Sequence, residues 1–249
     1  MFAATIDPIE LETALQPVSA LVDECKMRID ENGVGITAVD PANVGMVDLH
    51  IPETMFESYE AQEHTIGIPL ERLLDIISLF AKEEGSPPAR VMLDEETRKL
   101  QLECGGLNYT LSLTDPDSIR QEPEIPDLDL TAEVKLSGDS FSRAINACDM
   151  VAEHLHIGTT DDKEFYVQAK GDTDSVDAGM SEDDVIEFTG GAADSLFSVE
   201  YLRDMEDPIP GSIPVTLGIG PDFPALISFE LVDGEAAVQY ILAPRIADE

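Results

Sequence analysis

One short stretch of the chain has the glycine spacing of a nucleotide-binding loop. Residues 33–38 read Gly-Val-Gly-Ile-Thr-Ala and match the GxGxxA pattern, which holds a pyrophosphate between a strand and the start of a helix. Residues 36–39 have a strand-like composition instead, and Pro41 follows them. Because the segment after the glycines is predicted as a strand, a chance match is the favoured interpretation.

Two further stretches contain side chains of the types that bind metal ions. His154 and His156 would lie on one face of a strand, but no residue at ligand spacing completes the site, so a half-exposed strand is favoured. Asp172, Asp174 and Asp177 resemble a calcium loop, yet Asp177 stands where an EF-hand requires glycine, so only loose cation binding stays open. The chain also lacks a phosphate loop, a GxSxG motif and a Cys–His pair. The sequence therefore predicts no enzyme activity, no cofactor and no metal site.

The composition is that of a folded protein with an unusual charge. A hydrophobic fraction of 43% over 249 residues is enough for a sizeable core in one large domain or two small ones. Fifty-two acidic residues against 14 basic ones give a formal charge of −38. The acids are spread through apolar-patterned segments, which favours a folded protein from a high-salt cytoplasm over a disordered acidic chain.

The cysteines indicate a reducing compartment, and the short apolar runs predict no membrane-spanning segment. Cys25, Cys104 and Cys148 are odd in number and widely spaced, so we predict buried free thiols. The first ten residues lack the basic region and the long apolar run of a signal peptide. No run approaches the roughly 20 apolar residues of a membrane span. The expected location is the cytoplasm.

The predicted elements follow a similar order in the two halves of the chain. Apolar residues at helical spacing predict helices at 9–22, 69–82, 137–150 and 193–205. Alternation and turn residues predict strands at 25–29, 33–39, 44–51, 90–93, 99–104, 107–113, 134–136, 155–158, 164–169, 175–180, 214–219, 225–231 and 236–242. This order predicts an α+β fold of two similar domains, each with an antiparallel sheet and two helices.

Residues 114–130 separate the predicted domains at 1–113 and 131–249. The segment contains three prolines and no helical apolar period, so we predict an extended connector that lies over a surface. Three apolar side chains are predicted to hold it down: Ile119, Ile125 and Leu128.

Several segments resemble sliding clamps of the PCNA type, and the resemblance spans the whole chain. The matching segments are MFAATI at the start, GVGITAVDPANVGMVDLHIP at 33–52, the connector with Ile125-Pro126, LSGDSF at 136–141 and YILAPRIADE at 240–249. The resemblance implies the DNA-clamp fold, in a closed head-to-tail homotrimeric ring whose helices surround double-stranded DNA. It implies a non-catalytic processivity factor that tethers DNA polymerase, clamp loader, flap nuclease and ligase. The alternative is an acidic halophilic α+β enzyme with a carboxylate–metal site.

The resemblance also implies site residues. Short partner peptides with two aromatic residues would enter a pocket formed by Val39, Asn43, Val44, Ile125, Pro126, Pro224, Ala243 and Pro244. The DNA-facing helices would present a thin basic lining of Arg72, Lys82, Arg143 and Arg203. Because the basic residues are so few, we expect enclosure of the DNA by the ring, with bound cations, to keep the clamp on DNA. Subunits would meet near Tyr109 and near Val176.

Overall fold

The structure is a computed structural model that describes residues 1–82, 85–125, 128 and 130–245. The chain divides into two compact units. The first unit contains Met1–Pro41, Val47–Pro123 and Glu230–Val238. The second unit contains Ala42–Met46, Glu124–Phe229 and the C-terminal stretch from Gln239.

The first unit has two helices and antiparallel strands. Its elements are β1 Phe2–Ile6, α1 Pro8–Ser19, β2 Glu24–Asp30, β3 Gly33–Val39, most of β4 Gly45–Pro52, β5 Ser58–Ala61, β6 His64–Pro69, α2 Leu70–Phe80, β7 Ala89–Asp94, β8 Lys99–Cys104 and β9 Leu107–Ser112. One sheet has the strand order β5-β1-β7-β8-β9, and β4-β3-β2-β6 are also hydrogen-bonded neighbours. Strand β9 is therefore at a sheet edge.

Local chemistry explains the helix pair of the first unit. The Asp7 side chain accepts a hydrogen bond from the Ile9 amide at 2.8 Å and caps α1, with Pro8 at the first helical position. Helix α1 packs its apolar face against α2, and the Ser78 hydroxyl on α2 donates to the Glu12 carboxylate on α1. Burial of both apolar faces makes the pair a stable layer.

The second unit has the same kinds of element. Its elements are β10 Ala132–Ser137, α3 Gly138–Asp149, β11 His154–Thr159, β12 Phe165–Lys170, β13 Ser175–Met180, β14 Glu187–Gly190, β15 Ala193–Ser198, α4 Val199–Glu206, β16 Pro214–Ile219, most of β17 Ala225–Leu231 and the second half of β18 Ala236–Leu242. One sheet has the order β13-β12-β11-β15, and β14-β10-β16-β17-β18 are also neighbours. Helix α3 packs against α4, where Asn146 Nδ2 donates to Glu206 Oε1 at 3.0 Å. The predicted α+β class with antiparallel sheets and helix pairs is confirmed.

The predicted helix at 193–205 is wrong in its first half. Residues 193–198 form β15, which pairs with β11 from Ala193 opposite Thr159 to Ser198 opposite His154. Ala193, Ser195 and Phe197 are buried on one face, the alternation of a strand, and the helix begins only at Val199. Over so short a run, the apolar spacing fits both the helical period and the strand period. Pairing with β11 decides in favour of the strand.

Burial and segment length agree with two other predictions. Cys25, Cys104 and Cys148 are buried free thiols, as predicted. In the part of the chain that the structure describes, no helix is long and apolar enough to cross a membrane.

Candidate functional site

The first part of the connector is fastened to the first unit by backbone and side-chain contacts. The Thr114 amide donates to the Gly67 carbonyl at 3.0 Å, and a Cβ on Gly67 would lie only 2.4 Å from the Thr114 carbonyl oxygen. Ile119 is 8% exposed, and Arg120 Nη1 donates to the Asp40 carbonyl at 2.7 Å. The predicted role of Ile119 in holding the connector down is confirmed.

An arginine on β2 makes a further fastening that the sequence did not reveal. Arg28 Nη1 lies 2.9 Å from Glu122 Oε2 in the connector. Arg28 Nη2 also donates to the Thr37 hydroxyl at 2.8 Å, and that hydroxyl donates to Asp48 Oδ1 at 2.6 Å. One guanidinium therefore links β2 and β3 to the connector.

The later part of the connector belongs to the second unit. Ile125 is 50% exposed, so the prediction that it holds the connector down is wrong. Leu130 packs against the second unit instead. A Cβ added to Gly218 would lie 2.4 Å from Leu130 Cδ1, so the leucine side chain lies directly on that glycine. The Thr131 amide donates to the Ile219 carbonyl at 2.9 Å. Pro126 lies outside the described residues.

The remaining predicted pocket residues lie mainly in the second unit. The Ala243 amide donates to the Val44 carbonyl at 2.9 Å, which brings together two segments about two hundred residues apart in sequence. Val44, Ala243 and Pro244 are half-buried, and Asn43 is exposed with a φ of +60°. Val39 ends β3 in the first unit and is half-buried.

Strand β15 holds in place two of the segments that contain predicted pocket residues. The Asp222 amide donates to the Asp194 carbonyl at 3.0 Å, which fastens the turn before Pro224. Two residues along β15, the Leu196 carbonyl accepts from the Arg245 amide at 2.7 Å, directly after Pro244. Pro224 itself is half-buried. The misassigned strand therefore supports two of the segments predicted to form the pocket, and no local signal in the sequence distinguished it from a helix.

The four predicted DNA-facing residues are all exposed on or beside helices. Arg203 Nη1 on α4 lies 3.1 Å from Asp149 Oδ2 at the end of α3, so its charge is already paired. Within the described ranges, Arg72 and Arg143 make no hydrogen bond or ion pair. Burial, followed by the charge of the neighbouring Glu200, raises the pKa of Asp204 on α4.

The two strands implied in subunit contact are both at sheet edges. Strand β9 ends the first unit's five-stranded sheet, and β13 ends the second unit's four-stranded sheet. Tyr109 on β9 is 42% exposed, and Val176 on β13 is half-buried. Each edge has unpaired backbone groups that another strand could satisfy.

One histidine of the pair singled out in the sequence, His156, belongs to a hydrogen-bond network. His156 Nδ1 lies 2.8 Å from Asp194 Oδ1, and the Tyr166 hydroxyl donates to Asp194 Oδ2 at 2.7 Å. Among the residues that the structure describes, no three His, Cys, Asp or Glu side chains are grouped so that they could hold a metal ion.

Comparison with known proteins identifies the family. Residues 5–95 match the family model of the proliferating cell nuclear antigen, N-terminal domain. The chain is 48% identical to the DNA polymerase sliding clamp of Natronomonas pharaonis, with 100% of both chains covered. The chain belongs to the family of DNA polymerase sliding clamps. The clamp of Halobacterium salinarum is also 48% identical, over 99% of each chain.

Solved clamp structures share the fold over the whole chain. The chain is 36% identical to the A. fulgidus PCNA that was solved with the C-terminal region of FEN-1 bound, with 100% of both chains covered and a TM-score of 0.93. PCNA from Thermococcus kodakaraensis is 24% identical over 98% of this chain and 100% of its own, with a TM-score of 0.89. The resemblance to PCNA-type clamps is thereby confirmed.

Proposed function

We propose that this chain is the subunit of a homotrimeric sliding clamp that encircles double-stranded DNA regardless of sequence and tethers replication and repair enzymes. The observation that carries this conclusion is the 48% identity, over the full length, with a protein named DNA polymerase sliding clamp. We infer that the clamp acts as a non-catalytic processivity factor. We expect it to act in the cytoplasm, where the DNA that it would encircle is replicated.

We propose that the ring closes by pairing of β9 of one subunit with β13 of the next. Both are edge strands, and an edge strand is a ready template for another strand. Strand β9 contains no charged residue, although the chain carries a charge of −38, so this contact avoids like-charge repulsion along β9. A head-to-tail contact of this kind generates a closed ring when its rotation fits three subunits. In this arrangement the two domains are 1–113 and 131–249, joined by the connector 114–130.

We propose that partner enzymes bind through short peptides tipped with aromatic residues. The pocket would comprise Val39, Asn43, Val44, Ile125, Pro126, Pro224, Ala243 and Pro244. The exposed Ile125 and the Ala243–Val44 hydrogen bond support it, because an anchor peptide needs accessible apolar surface on a rigid frame. The binding of a FEN-1 segment by a related clamp supports a flap nuclease as one partner. DNA polymerase, clamp loader and ligase would use the same pocket.

We propose that Arg72, Lys82, Arg143 and Arg203 face the DNA. They are exposed on or beside the helices, but Arg203 is paired with Asp149. Enclosure would keep the ring on DNA, and cations would lie between the carboxylates and the phosphates.

The test is the absolute mass of the chain by light scattering in molar KCl, followed by peptide binding. The expected mass is three times 27.0 kDa. A synthetic peptide of the C-terminal region of FEN-1 should then bind by calorimetry, and the same peptide with its aromatic residues replaced by alanine should not. A species of 27.0 kDa in molar KCl would contradict the ring.

A further inference from the structure

The turn between β16 and β17 has few backbone donors with which to hold its shape. It comprises Gly220, Pro221, Asp222, Phe223 and Pro224, and the two prolines have no N–H group. Asp222 also adopts a φ of +52°, in the left-handed region that non-glycine residues rarely occupy. A turn of this kind needs support from outside itself.

That support comes from two consecutive residues of β15. The Asp222 amide donates to the Asp194 carbonyl at 3.0 Å. The Ser195 hydroxyl donates to the Gly220 carbonyl at 2.8 Å and accepts from the Phe223 amide at 3.0 Å. The hydroxyl thus bridges the first and fourth residues of the turn, and both donors that follow Gly220 are satisfied by β15.

Burial makes the Ser195 bridge hard to replace. Ser195 is 1% exposed, so water has little access to take over its two hydrogen bonds. Strand β15 can support the turn because it is itself held in place independently of the turn, by pairing with β11 along its whole length. The rigid partner in this contact is therefore the strand, and the turn adjusts to it.

We propose that Ser195 is a positioning residue of the partner-peptide pocket, whose hydroxyl sets the turn that presents Pro224. This inference rests on the proposed function, in which Pro224 lines that pocket. Ser195 itself does not line the pocket, because its side chain is buried beneath the turn. Without the hydroxyl, Gly220 and Phe223 lose a shared partner, and the turn samples positions that do not match the peptide.

The experiment measures binding of a synthetic FEN-1 C-terminal peptide to the full-length trimer in molar KCl. Ser195→Ala should weaken binding by roughly tenfold, the loss expected when buried polar groups are left without a partner. Ser195→Thr keeps the hydroxyl and should restore most of the affinity. In a double-mutant cycle, Ser195→Ala and Pro224→Ala should be strongly non-additive, because one acts through the other.

Thr159→Val is the matched control. Thr159 lies on the neighbouring β11, is buried, and its hydroxyl donates to the Gly191 carbonyl at 2.8 Å, away from the turn. This variant should lose stability without loss of peptide affinity. Equal weakening by Thr159→Val and Ser195→Ala would overturn the inference, and so would unchanged binding by a trimeric Ser195→Ala variant.

Hydrogen exchange of the unaltered trimer provides a second measurement if Ser195→Ala does not fold. A proteolytic fragment covering 219–225 reports on few backbone amides, those of Asp222 and Phe223 among them, since two of its residues are prolines. Slow exchange there in the free trimer, slowed further by the peptide, is expected. Fast exchange in the free trimer would overturn the inference. Failure of the unaltered trimer to bind the peptide, with slow exchange in the turn, would instead overturn the proposed pocket.

Discussion

Arg28 Nη1 and Glu122 Oε2 lie 2.9 Å apart, and this ion pair fastens the connector to β2. Its partners differ in exposure, with the Glu122 side chain the less accessible of the two. Arg28 also donates to Thr37, so the guanidinium is oriented before it meets the connector. The chain has only 14 basic residues, and this one lies between the sheet and the connector.

Replacing Arg28 with glutamine should therefore loosen the first part of the connector. We expect faster hydrogen exchange over residues 114–123 and a loss of about 1 kcal/mol in the free energy of unfolding, the upper range for a partly exposed ion pair. Arg90→Gln on β7 removes the same charge from the same unit and serves as the control. Unchanged exchange in the connector of Arg28→Gln would contradict the fastening.

If Arg203 faces DNA as proposed, Asp149 competes with the phosphates for its charge. The two side chains lie 3.1 Å apart, so Asp149→Asn should release Arg203 and strengthen retention of the ring on DNA. The slope of log affinity against log salt should steepen by about 0.9 for each arginine that reaches a phosphate. Asp162→Asn, in the exposed turn after β11, removes the same charge away from the helices. An equal effect of both variants would indicate net charge alone.

Gly158 makes room for a neighbouring aromatic side chain. A Cβ on Gly158 would lie 2.3 Å from the Tyr166 hydroxyl and 2.7 Å from the Ala193 carbonyl oxygen. Gly158→Ala should therefore displace Tyr166 from Asp194 and lower the free energy of unfolding by about 2 kcal/mol. Gly191→Ala is the control, since its nearest atom would be Asp161 Oδ1 at 3.8 Å. Denaturant unfolding in molar KCl measures both, and equal costs would contradict the steric argument.

Tyr166 should make the protein sensitive to alkali. Burial, followed by the hydrogen bond to Asp194, raises the pKa of Tyr166 from 10.0 to about 12. The folded state therefore holds the phenolic proton more tightly than the unfolded state does. Its contribution to stability is complete below pH 10 and is lost as the pH rises from 10 to about 12. The free energy of unfolding, measured from pH 10 to about 12, should decline less steeply in Tyr166→Phe than in the unaltered protein. Parallel curves of the two proteins would contradict the raised pKa of Tyr166.

The local pattern of residues was sufficient for most of the elements. Gly33–Val39, Lys99–Cys104 and Pro214–Ile219 begin and end where the sequence predicted strands. Strands β1, β5, β6 and β14 lie outside the predicted elements, because short strands with mixed polarity have no distinctive period. The helix predicted at 193–205 failed for a related reason, since only pairing with β11 turns residues 193–198 into a strand.

The sequence by itself determined the charge, the class of fold and, through its resemblance to PCNA-type clamps, the family. Those properties follow from the composition, from the local periodicity of apolar residues and from sequence motifs. Only the tertiary structure decided which contacts hold the connector and the turn before Pro224, namely the Arg28–Glu122 pair and the Ser195 bridge, and that Ile125 is exposed. Each depends on contacts between segments that are distant in the chain, and no local pattern of residues specifies such contacts.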